Sequence, residues 1–140
     1  MKKLPKKKSV AQLKKLADAE WSKYIRLRDS DIYGYADCIT CGTNKFWKEL
    51  QCGHFISRSV SLLRYDELNT NAQCVGCNMF KSGEQYLYSK ALDNKYGVGT
   101  AESLNEQRFT THKFTTSELE SIIEYAKENI KLYLTQAQVV

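Results

Sequence analysis

Two Cys-x-x-Cys pairs constrain this chain more than any other feature. Cys38 and Cys41 form "CITC", Cys74 and Cys77 form "CVGC", and 32 residues separate the pairs. The spacing lets both sulfurs of a pair reach one ion from a tight turn. Two such pairs complete a tetrahedral Zn²⁺ site. From Asp29 to about Gln73 the sequence loses helical periodicity, and Gly34, Gly42 and Gly53 interrupt short apolar pieces. An irregular stretch of this kind needs more than an apolar core, and metal-binding free energy becomes folding free energy. A redox role for Cys-x-x-Cys would call for a surrounding βαβ pattern, which is missing. Cys52 is left over as a small apolar residue.

With 140 residues the chain fits one domain (9–140) behind a flexible basic arm (1–8). No apolar run approaches the roughly 20 residues of a membrane span, so no membrane partner is expected. "MKKLPKKKSV" has no apolar stretch behind it and does not read as a signal peptide. The expected compartment is the cytoplasm, where disulfides are disfavoured. Residues 1–28 carry ten Lys and Arg against Asp18 and Glu20, whereas the remainder is net acidic. Lys2, Lys3, Lys6, Lys7 and Lys8 are therefore candidate phosphate contacts.

The expected fold class is α+β. Ser9 and Gln12 form a capping box for a helix over 9–29, with Val10, Leu13, Ala17, Trp21 and Tyr24 on its apolar face. "YADCIT", "KFWKEL" and "QCGHFI" read as short strands and "SRSVSLLRYDELNTNAQ" as loop. A helix is expected from near Asn78 to about Tyr96, broken at Gly83 and stopped at "YGVG". A C-terminal helical region spans 100–138. Within it Ser117 and Glu120 form a second capping box, and Leu119, Ile122, Ile123, Ala126, Ile130 and Tyr133 share a face. His112 reads as structural or exposed.

The second cysteine pair sits in "NTNAQCVGCNMFK", after a strand ending in His54. The order is strand-His, loop, Asn69, Cys-x-x-Cys-Asn78, helix. This resembles the zinc-bearing HNH endonucleases, of ββα-metal type, over roughly 37–90. The resemblance implies a zinc-stabilised core in which His54, Asn69 and Asn78 occupy the three motif positions. The phrases "LKKLADAEWSKYIRLRD", "QCGHFISR", "LRYDELN", "QCVGCNMFKSG" and "YSKAL" further resemble the NinG (Rap) recombination proteins of lambdoid phages, over nearly the whole chain. That resemblance implies a phage endonuclease, in the host cytoplasm, acting on branched DNA such as Holliday junctions and D-loops. A homodimer would suit the two nicks of a junction, and other phage or host recombination proteins are conceivable partners.

Phosphodiester hydrolysis needs an activated water and charge stabilisation on the phosphate. Neutral imidazole is a good base near pH 7, so His54 is expected to take the water's proton. Asn69 would orient the ring or pin its loop, and Asn78 would offer oxygen to Mg²⁺ or Mn²⁺. Relatives often have a metal ligand before the catalytic histidine, and here that residue is Gly53. Asp66 is the candidate replacement. Arg58, Arg64 and Lys81 are further candidate phosphate contacts. The competing readings are a non-catalytic zinc-knuckle nucleic-acid binder and a zinc adaptor for proteins.

Overall fold

The computed structural model describes residues 3, 4 and 6–137; Lys2 and Pro5 of the arm and position 138 lie outside them. Lys3, Lys6, Lys7 and Lys8 are exposed and belong to no helix or strand.

Helix α1 spans Val10–Arg28. The Ser9 hydroxyl accepts the Gln12 amide at 3.2 Å, and the Gln12 side chain accepts the Ser9 amide at 2.9 Å. Two of the four orphan donors of the helix start are thereby satisfied. Leu13, Ala17, Trp21, Tyr24, Ile25 and Leu27 are buried, but Val10, in the first turn with exposed Ala11 and Gln12, is 38% exposed. The partner of α1 is the C-terminal helix α5, Thr116–Gln136, through Ala126, Ile130 and Leu119. The α5 cap is Thr115 with Glu118, two residues ahead of the expected Ser117 and Glu120. Both pairs have the required spacing. Capping at Thr115 sets Phe114 against Leu119, a hydrophobic staple across the helix start.

Between these helices lie two antiparallel hairpins. β1 (Tyr35–Asp37) pairs with β2 (Asn44–Phe46) and turns through the first cysteine pair. After a 3-10 turn over Trp47–Glu49, β3 (Leu50–His54) pairs with β4 (Thr70–Cys74). The register runs from Leu50 opposite Cys74 to His54 opposite Thr70. Antiparallel partners share a face. Trp21 of α1 donates to the Thr70 hydroxyl at 3.0 Å on one side of the ladder. Tyr88 donates to the Gly53 carbonyl at 2.7 Å, beside Asn71 on the other side.

Strand β4 occupies a segment whose sequence reads as loop. "TNAQC" lacks the alternation of a half-buried strand, because both faces are covered and polar residues fill them. Thr70, Asn71 and Gln73 are fully buried. The connection before it also contains a short helix α2, Ser61–Arg64.

The expected break at Gly83 is wider than one residue. A π-helical turn over Gly76–Phe80 is followed by Ser82, Gly83 and Glu84, all left-handed at φ 50°, 84° and 50°. Three such residues in succession end any right-handed helix. Helix α3 therefore starts at Gln85 and runs to Tyr96. With α4 (Thr100–Glu106) it packs a second core of Phe55, Ile56, Leu63, Tyr88, Leu92 and Leu104. His112 contacts Glu118 at 2.8 Å at the foot of α5. No helix among the described residues is long and apolar enough to cross a membrane.

Candidate active-site cleft and cysteine cluster

The β1–β2 turn brings Cys38 and Cys41 onto the end of β4, where Cys74 and Cys77 wait. The four sulfurs lie within 4.8 Å of one another, and those of Cys41 and Cys74 are 3.7 Å apart. A tetrahedron with Zn–S bonds of about 2.3 Å has edges of about 3.8 Å. The donor set therefore fits Zn²⁺. Burial opposes ionisation of Cys38, but the Thr40 hydroxyl and the backbone amides of Cys41, Cys74 and Thr40 outweigh it and bring the thiol down to about 6. Burial pushes the Cys77 thiol up to about 12, so its proton would leave with metal entry. Among the described residues all five cysteines are free thiols.

Along β3, from Leu50 to His54, a cleft of about 950 Å³ opens between α1, β3 and the turn before α3. His54, Asn78, Arg58 and Arg64 line it, with Asp18 and Gln51. His54 Nε2 lies 2.9 Å from the Arg64 carbonyl oxygen. A carbonyl only accepts, so Nε2 carries the proton and Nδ1 keeps the lone pair. Burial lowers the His54 pKa below 6.5, the Arg64 carbonyl partly opposes this, and the Arg58 charge adds to it.

Asn69 is fully buried beneath the loop. Its Oδ1 accepts the Ile56 amide at 2.8 Å, and its Nδ2 donates to the Ile56 and Leu63 carbonyls, each at 3.0 Å. One side chain thus ties both arms of the β3–β4 connection together. Asn78 donates to Gln51 Oε1 at 2.8 Å, which leaves Asn78 Oδ1 without a hydrogen-bond partner among the described residues.

The other candidates are placed differently. Asp66 does not line the cleft; its Oδ1 accepts the amides of Leu68 and Asn69, each at 2.9 Å, so it shapes the turn and is not a ligand beside Asn78. Arg64 lines the cleft, but its guanidinium is committed to Asp18, with Nε 2.8 Å from Oδ1, and to the Arg58 carbonyl. Three of its five N–H donors are thereby engaged. The Arg58 side chain is 63% exposed and only 3.9 Å from Asp18. Lys81 is exposed outside the cleft, 4.0 Å from Glu84.

Asp18, Gln51 and Tyr65 are residues that the sequence reading missed. Asp18, Trp21, Ser22 and Arg26 line the cleft at helical spacing, so the stripe was present in α1. Burial opposes ionisation of Asp18, but hydrogen bonds from Arg64 and Tyr65 hold its carboxyl below the usual range. As for a hard cation, Asn78 Oδ1 is a suitable donor and Gly53 offers none. One neutral amide oxygen is a weaker set than the one or two carboxylates usual for Mg²⁺.

A family model described as "Bacteriophage Lambda NinG protein" matches residues 1–135. The chain belongs to the NinG family. It is 32% identical to Protein ninG of Salmonella phage P22 over 120 residues, covering 84% of this chain and 55% of that one. Protein ninG of Escherichia phage lambda is 30% identical over 120 residues, with 84% and 55% covered. The chain thus spans about half the length of the NinG relatives it matches. No solved structure matches. For this NinG chain, the matched span contains both the cysteine cluster and the cleft.

Proposed function

We propose that this NinG-family chain is a DNA endonuclease with a zinc-stabilised, HNH-like ββα-metal core. The observation that carries this reading is the His54 ring: Nε2 is held by the Arg64 carbonyl at 2.9 Å, and Nδ1 is left as the basic nitrogen in an open cleft. A histidine serving only the core would be expected to bond through both nitrogens or to lie away from solvent.

In the proposed reaction a water attacks the phosphorus and gives its proton to His54 Nδ1. The bond from phosphorus to the 3′ oxygen breaks, the 3′ oxygen takes a proton from solvent water, and the products are a 3′ hydroxyl and a 5′ phosphate; His54 then returns its proton to solvent. Asn69 is a positioning residue that fixes the loop carrying the Arg64 carbonyl, and Asp18 holds the Arg64 side chain. Arg58 contacts the phosphate backbone, with Lys2, Lys3, Lys6, Lys7 and Lys8 gripping DNA further away. Asn78 would hold Mg²⁺ or Mn²⁺, which when bound neutralises charge on the phosphate and the leaving oxygen. Zn²⁺ on the four cysteines is structural.

The substrate class implied by the family resemblance is branched DNA, and a dimer would serve paired nicks. The test is incubation of the chain with a four-way junction, a D-loop and linear duplex, with and without added Mg²⁺ or Mn²⁺. Metal-dependent nicking that disappears in His54→Ala supports the endonuclease. Binding without cutting under every condition favours the non-catalytic zinc-knuckle binder.

A further inference from the structure

A second, open groove of about 680 Å³ adjoins the cleft and shares Phe55, Ser57 and Gln85 with it. Two of its lining residues are exposed rings, Tyr86 at 69% and Phe109 at 81%. Each ring has a cation over it. Lys90 Nζ lies 4.5 Å from the Tyr86 centroid, and Arg108 Cζ lies 4.6 Å from the Phe109 centroid. Among the described residues neither cation has a carboxylate within 4.0 Å; Arg108 donates only to the neutral Asn105 amide at 3.0 Å.

We propose that this groove is a stacking platform for unpaired nucleotides. A single exposed aromatic needs no explanation. Two in one groove, each beside an unneutralised cation, match a repeating ligand that alternates flat apolar faces with negative charge. Single-stranded nucleic acid is such a ligand, with bases for the rings and phosphates for Lys90 and Arg108. A paired base buries its faces in the duplex stack and cannot use the platform, so the groove selects strands that are open. That the open strand continues from the scissile phosphate in the cleft rests on the endonuclease reading; the stacking itself does not.

The experiment compares a blunt duplex with the same duplex carrying a single-stranded tail, in buffer without added Mg²⁺. Affinity is read by anisotropy, and stacking by the fluorescence of a 2-aminopurine in the tail. The tailed DNA should bind more tightly and its 2-aminopurine should be quenched. Tyr86→Ala and Phe109→Ala should each weaken tailed binding about tenfold and relieve the quenching, with blunt binding unchanged. Tyr86→Trp and Phe109→Trp should retain both. Both rings are exposed, and circular dichroism checks that the variants keep the fold. Tailed binding equal to wild type in both alanine variants overturns the platform and leaves the groove to another partner, such as a protein. Equal loss on blunt and tailed DNA also overturns it. Ring-dependent tailed binding in a chain that cuts no DNA upholds the platform and removes the endonuclease reading; cutting with ring-independent binding does the reverse.

Discussion

A β-carbon on Gly53 would collide with Oε1 of Gln73. Gln73 is fully buried, and its Nε2 donates to Thr40 at 3.1 Å and to the Gly83 carbonyl at 2.8 Å. It ties the cysteine turn to the turn before α3. Its Oε1 is a buried oxygen without a partner among the described residues. Gly53→Ala should therefore displace Gln73 and destabilise the protein by about 1–3 kcal/mol. Urea unfolding of both proteins checks this. Gly53→Asp, which would look like restoring a metal ligand, should be at least as damaging and should not improve metal dependence.

Removing the proposed base tests the endonuclease reading directly. His54→Ala should reduce single-turnover cleavage about 10²–10⁴-fold while zinc content and DNA affinity persist. Asn78→Ala should also slow cleavage, but added Mg²⁺ or Mn²⁺ should partly restore it by mass action. A His54→Ala protein that cuts at the normal rate returns the histidine to a structural role.

The pH profile carries a sign. Burial holds the folded His54 pKa below 6.5, so the neutral base survives to lower pH than in a free imidazole. Cleavage at saturating metal should stay level as pH falls through 6.5 and decline only below it. The stability linked to this group is likewise full above the unfolded pKa and is lost as pH falls through the folded one. An acid limb at or above 6.5 would point to a different base.

Asn69 is held by three hydrogen bonds whose partners are buried with it. Asn69→Ala strands the Ile56 amide and removes a partner from two carbonyls, each stranded group costing about 1–3 kcal/mol. A large fall in thermal midpoint is expected. Asn69→Asp keeps the acceptor for Ile56 but turns a buried, acceptor-only oxygen toward the Ile56 and Leu63 carbonyls, so it should be at least as damaging. If Asn69→Ala melts like the wild type, the loop is held by something else.

Elemental analysis should find one zinc per chain, and Cys74→Ser should lose it. The free energy of structural zinc sites is on the order of 10 kcal/mol in small peptides, so chelation should lower the thermal midpoint markedly. A metal-free chain that melts at the same temperature would exclude a structural role.

The helices α1 and α5 were legible because local signals agreed: a period near 3.6 and an apolar face, joined in α1 by its cap, whereas the α5 cap was read two residues late. The cysteine cluster was legible because covalent spacing limits where four sulfurs can meet. β4 was not, since burial in this strand is carried by Thr70, Asn71 and Gln73, whose polarity mimics a loop until their partners are known. The partners of Asp66 and Arg64 were hidden for a similar reason. Composition gives their charge, but only the fold reveals that Asp66 is spent on backbone amides and Arg64 on Asp18.

Leu50 opposite Cys74 and His54 opposite Thr70 mark the two ends of one five-rung ladder. Adding or deleting one residue in either strand would turn every side chain beyond it to the opposite face. The buried amides would then meet Trp21, and either the cysteine or the histidine end would lose its setting. Changes of residue in these strands should therefore be tolerated better than changes in their number. The distance between the cysteine cluster and the histidine is then the part of this molecule least free to drift.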